Sequence, residues 1–216
     1  MNKNIVISYN TLRKIVGLLG LAFPIILILG SVIVGDCSTV QSSISSYYHT
    51  VMRDVFVGTL CVVGFFLFAY NGYDRTDKIA GNLACFFALG VAFFPTGVEL
   101  PPNPCAFVPA DQNPIISKIH YLFAACLFLT FTFFCFFLFI KSEGNQTEQK
   151  KKRNIVFKIC GSIMLLCIIL LALYFTWGES TSMNQIKPVF YLEGIALWAF
   201  GISWLVKGEF VLKDKN

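Results

Sequence analysis

Charge is what this sequence has least of. Only 13% of its 216 residues are Asp, Glu, Lys or Arg, about half the usual share of about 25% in soluble proteins. With 56% hydrophobic residues beside them, there is too little polar surface to wrap a soluble core of this length, and a water-soluble globular domain is excluded. Histidine is nearly absent, with His49 and His120 the only two. No Cys-x-x-Cys pair, glycine-rich phosphate loop, His-Glu-x-x-His segment or nucleophile elbow occurs, so zinc-finger, nucleotide-binding and soluble-hydrolase mechanisms have no support. There is no internal repeat, and the loops are too short to hold a separate domain.

What the sequence does have is phenylalanine, 23 residues of it, gathered into long uninterrupted apolar runs. A bilayer core about 30 Å thick asks for roughly 20 apolar residues in helical form. Six stretches meet or approach that length: 15–35, 54–72, 79–97, 119–140, 155–175 and 188–206. They predict an all-α polytopic fold, one integral-membrane domain of six transmembrane helices over 1–216. The first run follows basic residues as a leader would, but it is longer than an h-region and has no small-x-small cleavage site, so we read it as a retained helix. Val34-Gly35-Asp36-Cys37 matches a lipoprotein signal only loosely, because Asp36 stands where a small residue is needed.

The net charge of +5 lies in short segments between apolar runs, which argues against nucleic acid and for membrane topology. Positive charge is retained on the cytoplasmic side during insertion. With the N-terminus inside, 14 Lys and Arg fall on inner segments and three, Arg53, Lys118 and Lys187, on outer ones. Both termini are therefore expected in the cytoplasm, and the loops after helices 1, 3 and 5 outside. Asn145-Gln146-Thr147 fits a glycosylation acceptor but lies on an inner loop. The basic run at 150–153 reads mainly as a topology determinant, with anionic lipid headgroups as its other candidate partner.

Six of the eight cysteines, Cys61, Cys85, Cys126, Cys135, Cys160 and Cys167, sit inside apolar runs and read as small buried hydrophobes. Cys37 and Cys105 fall outside the helices, both on the outer side. Because that compartment is oxidising, they are expected to form a disulfide tying the first outer loop to the second.

The polar residues are as lopsided as the charge. Ser45, Ser46, His49, Arg53, Asp54, Glu99, His120, Glu179 and Glu193 all belong to outer loops or outer helix ends, so any site opens outward. Arg53, Glu99 and Glu179 are expected to line a polar pocket there. If Ser45-Ser46-Tyr47-Tyr48-His49 extends the second helix upstream, Ser45 and His49 share a face, whereas Asp54 points away. Glu193, about a turn and a half inside the sixth helix, needs a partner, water or a proton. Arg53 is its nearest cation by depth, with His49 or His120 as alternatives. Gly58, Gly64, Gly81, Gly90, Gly161, Gly194 and Gly201 suit close helix approach, and Pro24 and Pro95 suit kinks.

Ser46-Tyr47-Tyr48-His49-Thr50, Arg53-Asp54-Val55-Phe56-Val57-Gly58, Tyr70-Asn71-Gly72-Tyr73, Phe94-Pro95-Thr96 and the run from Phe200 to Glu209 resemble a family of uncharacterised bacterial multi-pass membrane proteins. That resemblance implies a bacterial inner membrane and carries no activity. Ser45, His49 and Asp54 also resemble the Ser-x-x-x-His and Asp of the alkaline ceramidases and adiponectin-type receptors, which are intramembrane zinc hydrolases. The chain departs from them in having six predicted helices instead of seven and no late His-x-x-x-His pair.

Three functions follow as expectations. The first is a membrane protein with an outward polar pocket that binds a lipid or small solute. The second is a zinc-dependent hydrolase of a lipid amide or ester, drawing ligands from His49, His120, Asp54 and Glu193, with Ser45, His49, Asp54 and Glu193 as the catalytic candidates. The third is a proton-coupled transporter using Glu193.

Overall fold

A computed structural model describes residues 8–70, 72, 74–98, 105–107, 113–142, 144–178 and 186–214. Among them the chain is helical without strands, in the order α1 (Tyr9–Gly35), α2 (Arg53–Phe68), α3 (Arg75–Phe93), α4 (Pro114–Phe133), α5 (Glu148–Leu173) and α6 (Pro188–Lys207). Short π-helical turns continue α4 over Phe134–Leu138 and α5 over Tyr174–Gly178, and a 3-10 turn spans Ser45–His49.

The helix starts follow from local chemistry. The first backbone N–H groups of a helix have no partner within it, and here side chains supply acceptors. Ser8 accepts from Thr11, Asp74 from Thr76 and Asp77, Asn113 from Ile115 and Thr147 from Lys150. α4 and α6 open on Pro114 and Pro188, where a missing N–H costs nothing. Asp74 and Asp77 close a reciprocal capping box, and Lys141 bridges both carboxylates at 2.9 and 2.8 Å. The Lys141 ammonium beside it holds the Asp74 carboxyl down to about 2.

Packing joins each helix to the next, α1 to α2 and so on to α6, and α6 returns to α1. The six thus form a closed ring. The closure between α1 and α6 depends on two glycines: a Cβ on Gly17 would stand 2.8 Å from the Gly201 carbonyl oxygen, and one on Gly201 2.8 Å from that of Gly17. At the end of the ring where α6 finishes, the core is aromatic, with Trp204 packed against Tyr70, Phe134 and Phe139. All four side chains are inaccessible.

The outward faces are apolar as well. Ile33 is 79% exposed, Leu122 64% and Phe65 60%; side chains of this kind, spread along helix after helix, suit contact with lipid tails. Five helices are long and apolar enough to cross a membrane: Tyr9–Gly35, Arg75–Phe93, Pro114–Leu138, Glu148–Trp177 and Pro188–Lys207. The helix expected over 54–72 is shorter than its apolar run, because α2 has only 16 residues, about 24 Å at 1.5 Å per residue.

Helices α1, α3, α4 and α5 start four to seven residues before the expected runs, mostly through polar caps that hydropathy ignores, while α3 ends four residues short of its run. Pro24 lies within α1, but α3 ends at Phe93, so Pro95 lies beyond the helix and cannot kink it. Gly58 and Gly194 have nothing within 4 Å of an added Cβ and mediate no close approach, contrary to expectation. Gly17→Leu or Gly201→Leu is expected to cost about 1–3 kcal/mol or more, the overpacking range, and Gly58→Ala and Gly194→Ala almost nothing, as read from thermal melts in detergent.

Candidate functional site

The segment between α1 and α2 is rich in serine, yet it does not lie on the surface. Gln41, Ser43, Ile44, Ser45, Tyr47, Tyr48, His49 and Thr50 are all buried, packed into the mouth of the ring as a plug. A buried loop must satisfy its backbone polar groups, and this one does so by reaching several elements. Asp36, in the left-handed region at φ 48°, ends α1 and turns the chain inward. Cys37 is joined to Cys105, with Cα atoms 6.0 Å apart, as the sequence predicts. The Phe107 N–H donates to the His49 carbonyl at 2.6 Å, and the Lys187 ammonium donates to the Val40 carbonyl.

Glu193 is the central attachment. Its carboxylate accepts from the Ile44 N–H at 2.7 Å, the Ser45 N–H at 3.2 Å and the Ser45 hydroxyl at 3.3 Å. These are the free donors at the start of the 3-10 turn, so α6 caps the plug with a side chain presented from within the ring. Charge-assisted bonds of this type are stronger than neutral ones. Arg53, the cation expected to pair with Glu193, is instead exposed and turned to the plug's other side. It donates to the Tyr48 hydroxyl at 2.9 Å and lies 4.6 Å from the centre of that ring. Once the carboxylate meets backbone donors, it has no need of a cation.

Both histidines serve the end of α3. His120, on α4, places Nδ1 2.7 Å from the Phe94 carbonyl oxygen, and His49 places Nε2 2.7 Å from that of Thr96. A carbonyl only accepts, so each nitrogen carries the proton it donates. The two imidazoles therefore hold the residues on either side of Pro95, where the helical bonding of α3 has ended. Asp54 is exposed in the first turn of α2. The described residues gather no group of three His, Cys, Asp or Glu side chains able to hold a metal ion. A catalytic zinc takes three protein ligands, and beside these two imidazoles no third donor stands among the described residues. Glu99 and Glu179 lie outside the described residues.

Below the plug, α1, α2, α3, α4 and α6 line a cavity of about 60 Å³. Its walls are apolar, among them Phe23, Leu60, Ala124, Phe128 and Leu197, with Ser45, Thr59 and Glu193 as the polar groups. Arg53, expected to line an outward polar pocket with Glu99 and Glu179, is not among these walls. The regular helix expected to carry Ser45 and His49 on one face is a 3-10 turn, separated from α2 by Thr50, Val51 and Met52.

No family model, curated protein or solved structure matches this chain. What the site does must be argued from its own geometry.

Sequence reasoning predicted the disulfide and singled out Glu193, Ser45 and both histidines, but as catalytic or metal-ligand candidates. It missed the anchoring carbonyls of Phe94 and Thr96 and the capping role of Glu193, since backbone partners leave no residue-type signal. The run of buried serines before a short second helix is the clue that was present. Glu193→Gln is expected to lower stability by about 2 kcal/mol, the scale of a hydrogen bond to a charged group. Glu193→Ala should cost more, and both are read by thermal unfolding of detergent-purified protein.

Proposed function

We propose that this protein crosses a plasma (inner) membrane six times, with both termini cytoplasmic, and holds beneath its outer plug a binding chamber for a lipid or small apolar solute. The topology rests on the bias of 14 Lys and Arg against three and on the closed ring of neighbouring helices. Within that ring α2 lies between two helices long enough to cross. It is short because the buried plug occupies the remaining depth above it.

The observation that carries the functional reading is the cavity under the plug. Its apolar wall suits a hydrocarbon chain, and Ser45 and Glu193 at one end suit a hydrogen-bonding head. Binding sites commonly combine an apolar lining with a few placed polar groups. At about 60 Å³ the chamber takes only a slender group while the plug is seated, so a larger ligand enters as the plug lifts from Glu193. The side chains of Ser45 and Glu193 are both the plug's attachment and the chamber's polar end, and a ligand head exchanges one set of hydrogen bonds for another.

Ala124→Phe places a ring in the chamber without touching the plug's attachments. Native mass spectrometry of protein released from mild detergent is expected to show a bound lipid or apolar adduct on the wild type and its loss in Ala124→Phe at unchanged fold. Wild-type protein without adduct after incubation with membrane lipid extract, or an adduct retained in the variant, contradicts the reading.

A further inference from the structure

At the end of the ring opposite the plug, a second cavity of about 290 Å³ is lined by Arg13, Lys150, Arg153 and Lys207 together with Glu209 and Asp214. The four cations come from three helices, α1, α5 and α6, so the ring itself brings them together. Lys150, Arg153 and Lys207 are each less than 9% exposed, which is unusual for residues that normally keep their charge in water. Both carboxylates are drawn to Arg153, at 2.7 Å for Asp214 and 3.8 Å for Glu209. Asp214 also accepts from the Thr147 hydroxyl at 2.6 Å. Among the described residues the wall thus carries four basic side chains and two carboxylates, and Lys207 also reaches the Phe139 carbonyl at 3.5 Å.

Part of this arrangement serves the fold. The π-helical turn after α4 ends at Leu138, and the Lys150 ammonium donates to the Phe139 carbonyl at 2.7 Å, a favourable place for a cation because a helix C-terminus is electronegative. That bond uses one of the three donors of Lys150. Arg13 donates from one terminal nitrogen to Asn10 at 3.0 Å, and its Nε–H is buried without an acceptor among the described residues. Ser142, Asn145, Gln146 and Thr147 add neutral polar groups to the same wall.

We propose that this cavity is a binding site for a phosphomonoester dianion, held by Arg13, Lys150 and Lys207. A doubly negative group suits a wall richer in bases than in carboxylates, and its three acceptor oxygens suit ammonium and guanidinium donors arriving from different helices. The start of α5, beside the cavity, adds the positive end of its helix dipole. The phosphate is carried either by a lipid headgroup or by a small soluble ester. The site is separate from the chamber under the plug and does not depend on what that chamber binds.

The test uses the full chain and two probes. Glycerol phosphate is titrated calorimetrically into detergent-purified protein, and phosphatidic acid is offered in phosphatidylcholine nanodiscs with retention read by native mass spectrometry. Binding of the first identifies a soluble ester, and binding of the second alone a lipid headgroup. Lys150→Gln and Arg13→Gln are each expected to weaken binding about tenfold or more, on the scale of one hydrogen bond to a charged group. Asp214→Asn removes a negative charge and should strengthen it, so a folding defect in the lysine variant leaves two independent readouts.

Lys151→Gln and Lys152→Gln, on exposed positions of the same run, should change nothing. Failure of both probes to bind wild-type protein overturns the proposal. So does a loss in Lys151→Gln or Lys152→Gln as large as in Lys150→Gln, which would mean attraction to a basic surface without a built site.

Discussion

A carboxylate inside an apolar ring must find donors, and in this protein the contact of Glu193 with the Ile44 and Ser45 N–H groups is what the plug end of the molecule depends on. Each side supplies what the other lacks. The plug has free backbone donors at the start of a short turn, which would be costly to bury alone. α6 has a negative charge, which would be costly to bury without them. Remove either, and the remaining group stands unsatisfied in surroundings with little water. The disulfide to Cys105, the His49 contact with Thr96 and the Lys187 bond to Val40 then fix the plug's edges, while Glu193 holds its centre.

The two ends of the ring solve the same problem differently. At the aromatic end, Trp204, Tyr70 and Phe134 fill the interior, and the charges gather beyond them around the polar cavity. At the plug end the interior is left partly open. The chamber there is bounded by small or flexible positions such as Gly20, Ala88 and Ala124 as well as by rings. A protein that needed only to be stable could fill that space, and its retention next to an ionisable side chain is the physical basis for reading it as a place of binding.

Much of the fold was legible because hydropathy reports directly on it: the apolar runs mark all six helices, and the two cysteines outside them pair. The length of α2 was not legible, since Ala69 and Tyr70 continue its apolar run although the helix ends at Phe68. The site was half legible. Glu193 and Ser45 stood out as polar residues in the wrong solvent, but the partner of a carboxylate can be a backbone N–H, which every residue but proline has. Arg53 therefore looked like the natural partner and was not. Arg13, Lys150 and Lys207 were read as topology signals, and only the closure of α6 onto α1 and α5 shows that they face one cavity.

The most direct measurement is amide hydrogen exchange across residues 41–50 in wild-type protein in a lipid nanodisc. If the segment is a plug seated on Glu193, the amides of Ile44 and Ser45 exchange as slowly as those of the surrounding helices and become fast in Glu193→Ala. Rapid exchange of these two amides in the wild type, at the rate of an open serine-rich loop, would contradict the account.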